Sequence, residues 1–456
     1  MNLKFTPPLD PGFQPAVLAS RNYIAAAKQS GSAVPLVIGL EREHGLVSRF
    51  ETVVRADADA ETLRYVERTV KFLLWAFGGW KIFVGGPKAI GEFIKKTYSP
   101  RGARKFDCGM MEKGYGKKLQ VVVTTPARVP KAKEMQIPAG GHLKGSRIGF
   151  DLGASDYKVS AVLNGEAVFS EESPWDPKNQ ANPEYHYHHI SAALHRAAAH
   201  LPRVDAIGGS SAGIIVDNEI RVASLFRAIP KEDFPKAAKI FKRIQKAWNV
   251  PLVMMNDGDV TALAGALSLK KKGMLGIAMG SSEAGGFMDK KGRILGWLNE
   301  LAFAPVDYNP EAPADEWSGD RGVGALYFSQ QAVNKLLPAA GIELPADMSL
   351  PEKLKAVQAL MANDDPRAAK IYETIGIYLG YAIPHYADFY DYADVLILGR
   401  VTTGKGGDIV MAKAREVLAA EFPEVAAKIQ IHVPDEKSRR VGQAVAAASL
   451  PEAKKK

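Results

Sequence analysis

The sequence predicts an α/β protein with two related lobes and a further small α/β domain at its N-terminus. The first observation is the stretch 147–172, where strand-like runs are joined by a turn of small residues at 153–155 and by Asn164-Gly165. Asn-Gly between alternating apolar runs is the strongest short-range signal for a hairpin. The second observation is the stretch 274–297, which repeats the order of strand, small-residue turn, strand, glycine turn and strand. Two such units predict two related lobes that face a cleft.

The first 147 residues supply the third observation. They contain one amphipathic helix, DAETLRYVERTVKFLLWAFG, and four strand-like runs, VPLVIGLER, FETVV, WKIFVGG and LQVVVTTP. A stretch rich in Pro, Gly and Lys follows, as is typical of a connector. We therefore expect an extra α/β domain with a basic connector at 1–147, a first lobe at 148–268 and a second lobe at 269–456.

Composition limits the classes of function. The chain has 456 residues, 46% of them hydrophobic, which is enough for two or three domains with cores of their own. No apolar run is long enough to cross a membrane, and we expect no secretory signal. The single cysteine, Cys108, excludes an internal disulfide framework and favours the reducing cytoplasm.

The formal net charge of +9 favours anionic ligands without naming one. Basic residues are dense between 91 and 147, but aromatic residues are not interleaved with them at regular spacing. A solvated basic face is therefore the preferred interpretation, and a nucleic-acid partner is not expected.

Polar residues at strand ends are the candidates for chemistry. The apolar run 251–255 delivers Asn256 and Asp257 to its end, and a helical pattern begins immediately afterwards. Open α/β folds place their ligands at the carboxyl ends of strands. The structural alternative is that this pair caps the helix, with Asp259 stabilised by the helix dipole in its first turn. A third glycine loop follows the strand-like run at 394–398.

The order of these motifs, from about Arg147 to about Leu450, resembles the two-lobed, ribonuclease H-like fold of the sugar kinase/actin/Hsp70 ATPases. Within that superfamily it resembles the ROK family of repressors and sugar kinases. The motifs that carry the resemblance are DLGAS, AIGGSSAGIIVDNEIRVASLF, MMNDGD, GSSEAGG and LGRVTTGKGG.

The resemblance implies a set of nucleotide-binding residues. Asp151 would hold Mg²⁺ and phosphate, and Arg400 stands where the family has a glycine. Other positions implied for ATP are Gly153, Ser155, Gly280, Ser281, Ser282, Gly399 and Gly404. Ser282 and Ala284 replace family glycines, which stiffens their loop.

The resemblance also implies an acceptor site. Asp257 would be the general base for the attacking hydroxyl, and Asn256 would fix a neighbouring sugar hydroxyl. Gly213 and Ser224 lie in the stretch that lines the family's sugar pocket. Glu300 would be the remaining polar anchor.

Two family anchors of the sugar are replaced here, by Phe303 and Ala325. We therefore expect glucose to be a poor substrate, and a substrate with an apolar face or fewer hydroxyls to be preferred.

The same region departs from the family at its structural zinc. Phe303 stands in the position of a histidine ligand, and the loop PADEWSGDRGVG contains no cysteine, so we expect no zinc site. A histidine cluster in 185–200 is interpreted as an ordinary helix surface rather than another metal site.

These residues together imply an ATP- and Mg²⁺-dependent carbohydrate kinase. A polyol or amino-sugar kinase is the alternative among enzymes, and a non-catalytic sugar sensor or regulator is the alternative from another class. The oligomeric state stays open, with a homodimer among the alternatives.

Overall fold

The computed structural model describes residues 3–135, 140–433 and 436–453, without the side chains of 436–441. Residues 136–139, inside the predicted connector, lie outside the described set. Contacts divide the chain into two compact units: unit 1 comprises 1–135, 277–285 and 296–432, and unit 2 comprises 136–276, 286–295 and 433–456. Residues 1–135 thus share a unit with 296–432. The domain boundaries expected from the sequence stay predictions.

The N-terminal part of unit 1 is a four-stranded sheet with helices. The amphipathic pattern at 59–78 forms α2, whose first turn is capped by the Asp59 carboxylate accepting from the Thr62 N–H at 2.7 Å. Strand order is β2-β1-β3-β4, with β1 antiparallel to β2 and β3. The four predicted strands and the helix are confirmed. The elements are α1 (Ala16–Gln29), β1 (Ala33–Glu41), β2 (Val47–Arg55), α2 (Ala60–Phe77), β3 (Lys81–Gly85), α3 (Lys88–Thr97), α4 (Lys105–Tyr115) and β4 (Gln120–Thr124).

Unit 2 is organised around a five-stranded mixed sheet. Its elements are β5 (Ser146–Leu152), β6 (Asp156–Leu163), β7 (Glu166–Pro174), α5 (Pro183–Ala198), β8 (Ala206–Ser211), β9 (Ile214–Val216), β10 (Glu219–Val222), α6 (Phe234–Ala238), α7 (Ile240–Trp248), β11 (Leu252–Asn256) and α8 (Asp257–Leu269). Strand order is β11-β8-β5-β6-β7, and β11, β8 and β5 are parallel. The predicted hairpin is confirmed, because Asn164 and Gly165 have the positive φ angles of a tight hairpin turn.

The chain passes between the units within two strands, β12 (Met274–Met279) and β13 (Glu283–Met288). The prediction of a third strand in 274–297 is wrong. The Gly292 N–H donates to the Asp289 carbonyl and closes a turn, and after it a single bridge joins Met288 to Ile294 in place of a strand. The sheet order is β13-β12-β14-β15. The remaining elements of unit 1 are α9 (Gln330–Ala340), α10 (Leu350–Ala362), α11 (Pro366–Ala387), β14 (Asp394–Leu398), α12 (Gly404–Glu421), α13 (Pro423–Ala426) and β15 (Gln430–His432).

The last helix, α14 (Glu436–Ala448), returns to the sheet of unit 2 and packs on β5 and β8. Two glycines that face each other across these strands, Gly149 and Gly208, permit this contact. A Cβ atom on Gly208 would lie 1.7 Å from the Ala447 carbonyl oxygen, and one on Gly149 would lie 1.7 Å from that of Ala444. The helix backbone therefore lies directly on the sheet. No helix in the described part of the chain is long and apolar enough to span a membrane.

We predict that Gly208→Ala destabilises unit 2 by roughly 1–3 kcal/mol or more, because the added methyl group collides with helix backbone that cannot rotate away. Thermal unfolding followed by circular dichroism measures the effect. Gly109→Ala is the matched control, since a Cβ at Gly109 in α4 meets nothing within 4 Å. That variant should gain up to about 1 kcal/mol from helix propensity. Equal melting temperatures for the two variants would contradict the prediction.

Candidate functional site

The carboxyl ends of three parallel strands bring the candidate residues of unit 2 together. Asp151 on β5 pairs in register with Ser210 on β8, and Ser210 pairs with Met255 on β11. Asn256 and Asp257 come next, where β11 ends and α8 begins. The side chains that the sequence places at strand ends therefore lie at one edge of one sheet.

Asp257 and Asp151 form a half-buried pair of acids at this edge. Burial, and secondarily the charge of Asp151, raises the pKa of Asp257 to about 6. The Gly258 N–H donates to Asp257 Oδ1 at 3.0 Å and opposes the shift in part. Burial also raises the pKa of Asp151, and the Ser210 hydroxyl, which donates to its carboxylate, counteracts this. Two repelling carboxylates of raised pKa are a donor set that a hard divalent cation would stabilise.

Asn256 shows the capping interaction considered as the alternative. Its side-chain oxygen accepts from the Gly258 N–H at 2.8 Å, and its amide nitrogen donates to the Gly213 carbonyl at 2.9 Å. Gly213 has a φ of +113°, and a Cβ there would lie 2.1 Å from the Val222 carbonyl oxygen. Only glycine therefore fits at this position, whose carbonyl accepts from the Asn256 amide. Ser224 lies exposed in the 3₁₀ turn that follows β10, and no hydrogen bond among the described residues links it to Asn256.

Asp259, the second acid of the motif, is buried in the first turn of α8. Its Oδ1 accepts from the Phe287 N–H at 3.4 Å, on β13. This contact helps to fix the helix that begins with Asp257, so Asp259 has a structural role.

The first predicted phosphate turn is held by a tryptophan that the sequence did not indicate. The indole Nε1 of Trp175 donates to the Gly153 carbonyl at 2.9 Å, and its backbone N–H donates to the Ser155 carbonyl at 3.1 Å. The Gly153 N–H donates to the Asp156 carbonyl at 2.9 Å. The exposed Ser155 hydroxyl donates to the Asp156 carboxylate at 3.0 Å. The turn is therefore preformed, with its hydroxyl engaged locally.

The two predicted nucleotide loops of unit 1 lie side by side. Gly399 has a φ of +111°, and a Cβ there would lie 2.3 Å from the carbonyl oxygen of Met279, the residue before Gly280. The Gln330 N–H at the start of α9 donates to the Gly280 carbonyl at 2.9 Å. The exposed residues of these loops are Ser281, Ser282, Arg400 and Gly404. Gly404, with a φ of +67°, begins α12.

A buried acid, Glu283, directly follows this loop and was not singled out from the sequence. Burial raises the pKa of Glu283 to about 8. The Tyr386 hydroxyl donates to its Oε1 at 3.0 Å, while Oε2 is buried with no hydrogen-bond partner among the described residues. At neutral pH this side chain is therefore mainly a neutral acid.

Glu300, the predicted polar anchor, is half-buried and begins the 3₁₀ turn Leu301–Phe303. Phe303 is buried, and its ring centroid lies 4.4 Å from that of Trp75 and 5.3 Å from that of Trp317. Ala325 is buried as well. The exposed member of the aromatic group is Trp317, 63% accessible to solvent.

Among the described side chains, no group of three or more His, Cys, Asp or Glu residues is placed to hold a metal ion. In the histidine cluster, His186 is buried with its Nε2 3.1 Å from the carbonyl oxygens of Pro177 and Leu225, whereas His188 is exposed. The histidines of α5 therefore face different environments.

Comparison with known proteins identifies the fold. No protein-family model matches the chain, and no curated protein sequence matches it. Among solved structures, a ROK hexokinase from Thermus thermophilus is similar over 66% of this chain and 97% of its own, with a TM-score of 0.51 and 19% identity. A ROK-family transcriptional regulator, a homologue of the E. coli MLC protein, is similar over 80% of this chain and 89% of its own, with a TM-score of 0.52 and 17% identity. The chain thus has the actin-like ATPase fold found in ROK proteins, as predicted.

We predict that Asp257→Asn stabilises the protein at neutral pH. A folded-state pKa of about 6, above the usual value of 3.8, means that ionising Asp257 costs the folded state stability. This cost grows as pH rises from about 4 to 6 and is constant above. The melting temperature of the variant minus that of wild type should therefore increase from about pH 4 to 6 and stay constant up to pH 8.

Asp365→Asn is the control, and its effect on the melting temperature should have the opposite sign. The hydrogen bond from the Arg367 side chain lowers the pKa of Asp365 to about 2, so its carboxylate stabilises the folded state above the usual pKa. That variant should melt below wild type at pH 7, by an amount that shrinks on acidification. A pH-independent difference for Asp257→Asn would refute the assignment of its pKa.

Proposed function

We propose that the protein is an ATP-dependent kinase that transfers the γ-phosphoryl group to a hydroxyl of a sugar-like acceptor. The observation that carries this proposal is the acid pair Asp151 and Asp257 at the carboxyl ends of parallel strands, on a fold shared with a ROK hexokinase. Phosphoryl transfer needs positioned electrostatic groups and a base for the attacking hydroxyl, and this edge offers both.

Asp257 is the proposed general base. A catalytic base works best when its pKa lies near the working pH, and burial has moved the pKa of Asp257 to about 6. The Gly258 N–H donates to Oδ1 and helps to orient the carboxylate that would accept the proton of the acceptor hydroxyl. The Ser210 hydroxyl fixes the orientation of Asp151 beside it.

The cofactor residues fit Mg²⁺ and ATP. Mg²⁺ is commonly held by one or two carboxylates together with substrate phosphates, and Asp151 would supply a carboxylate. The bound metal ion would neutralise charge on the phosphates. In unit 1, the exposed loop 280–282 and the adjoining loop 399–404 would supply backbone N–H groups and hydroxyls to the nucleotide. Ser155 and Gly153 would serve the same purpose in unit 2.

A sugar-binding regulator is the second candidate. The ROK transcriptional regulator is similar over a larger share of this chain than the hexokinase, 80% against 66%. A regulator needs the acceptor site but no base, so Asp257 and its raised pKa favour the kinase. An amino-sugar or polyol acceptor is compatible with the same residues.

The deciding experiment is a screen of sugars, amino sugars and polyols for ADP release from ATP and Mg²⁺. We expect Asp257→Asn to fold and bind ATP but to lose roughly 10²–10⁴-fold in turnover, as on removal of a general base. Wild-type turnover should fall as pH drops through 6, because the base becomes protonated. Asp176→Asn, an exposed carboxylate of the same unit, is the control and should match wild type. A screen with no acceptor, combined with measurable sugar binding, would favour the regulator.

Acceptor specificity gives a separate prediction. Glucose should be a poor acceptor, because Phe303 and Ala325 supply no hydrogen bonds and each unpaired hydroxyl costs about 1–3 kcal/mol. Glu300→Ala should raise the Michaelis constant of the best acceptor by roughly tenfold or more, because it leaves one more acceptor hydroxyl unpaired at the same cost. Steady-state kinetics with glucose and the best acceptor test both points. Efficient phosphorylation of glucose below 1 mM, or an unchanged Michaelis constant in Glu300→Ala, would contradict this account.

A further inference from the structure

The last turn of α2 is bonded to the backbone of the Glu300 segment, which we define as residues 299–321. The Asn299 N–H donates to the Ala76 carbonyl at 2.8 Å, and the Glu300 N–H donates to the Trp75 carbonyl at 3.0 Å. A helix leaves the carbonyls of its last turn without partners inside the helix. The Glu300 segment supplies two of these partners and is thereby fixed to a helix that lies more than 200 residues earlier in the chain.

Trp75 holds the same segment through its side chain. Its ring packs on Phe303 with centroids 4.4 Å apart, and its indole N–H donates to the Asp107 carboxylate. The Phe303 N–H donates to the Glu300 carbonyl at 3.1 Å and closes the 3₁₀ turn. Trp75 therefore contacts both ends of this turn, Glu300 through its backbone carbonyl and Phe303 through its ring. The backbone position of Glu300 therefore depends on Trp75.

A buried ionic network holds the other end of the segment. Asp320 forms ion pairs with Lys71 at 3.1 Å, with Arg68 at 3.2 Å and with Arg104 at 2.7 Å. Lys71 is fully buried and also pairs with Asp107 at 2.7 Å. Glu67, which pairs with Arg68 and Arg104, completes a set of three positive and three negative side chains. Because the charges are balanced, removing any one member would leave the charge of a partner without compensation.

We propose that α2 and the ion pairs around Asp320 act as a positioning device for the acceptor site, with Trp75, Lys71 and Asp320 as its positioning residues. This inference rests on the proposed role of Glu300 in binding the acceptor. The network and the ring contact hold Glu300 at the place where its carboxylate meets the acceptor. Loosening them weakens acceptor binding and leaves the ATP loops and Asp257 unchanged.

Asp320→Asn tests the network, because it removes one negative charge and keeps the shape of the side chain. Hydrogen exchange at the Asn299 and Glu300 amides should accelerate at least tenfold. The Michaelis constant of the best acceptor should rise at least tenfold, with the constant for ATP within twofold and kcat within threefold, as expected when ground-state binding is lost. The double variant Lys71→Met/Asp320→Asn restores charge balance and should recover at least part of both effects.

Trp75→Phe tests the ring contact, and Trp80→Phe is its matched control. Trp80 is a half-buried tryptophan of the same N-terminal region that lies between Lys81 and Lys117 rather than on the Glu300 segment. Trp75→Phe should raise the acceptor Michaelis constant several-fold, and Trp80→Phe should not. If Asp320→Asn fails to fold, Trp75→Phe and the double variant decide the question.

The outcomes separate this inference from the proposed function. A folded Asp320→Asn with unchanged amide exchange would overturn the positioning device. Faster exchange with an unchanged acceptor Michaelis constant would overturn its role in acceptor binding. If the wild-type protein phosphorylates no acceptor, the kinase proposal fails, while amide exchange still tests whether the network holds the Glu300 segment.

Discussion

The parallel pairing of β5, β8 and β11 decides where the candidate residues of unit 2 lie. Parallel strands end at the same edge, so Asp151, Ser210 and Asp257 meet although about 100 residues separate the first from the last. The glycine pair Gly149 and Gly208 lets the backbone of α14 lie directly on this sheet. Burial raises the pKa of both carboxyl groups, and the charge of Asp151 adds to the shift of Asp257. The ionised forms of both acids are therefore disfavoured in the folded protein.

Unit 1 is organised by a different constraint, the buried ionic network around Asp320. Such a network is a weak source of stability, because desolvating the charges costs about as much as their attraction returns. Removing one member is different, since about 3–5 kcal/mol is lost when a buried charge is left without its partner. The network links α2 to Asp320 and to the Arg321 carbonyl. The aromatic packing of Trp75 on Phe303 adds buried apolar surface to the contact between α2 and the Glu300 segment.

Stability and function oppose each other at the proposed site. Asp257 and Glu283 are carboxyl groups that would be more stable in water, and burial raises the pKa of the first to about 6 and of the second to about 8. The first value suits a base near neutral pH, and the second keeps a neutral acid beside the loop 280–282. An amide at position 257 would avoid the cost of ionising this carboxyl group, and an amide at position 283 would avoid the cost of keeping a carboxyl group protonated at neutral pH. Perturbed pKa values of this kind cluster at functional sites, which is consistent with the proposed role of Asp257.

Local patterns in the sequence determined the elements of this protein. Alternating apolar runs, Asn164-Gly165 and the acids after β11 predicted strands, the hairpin and the strand-end position of Asp257, because these signals act between neighbouring residues. Which elements meet was decided only by the tertiary structure. The bond from Ser210 to Asp151 needs the parallel register of two strands, the anchor of the first phosphate turn comes from Trp175, and the network joins α2 to a loop more than 200 residues away. Contacts between distant segments leave no periodic signal, so their partners emerge only when the whole chain is packed.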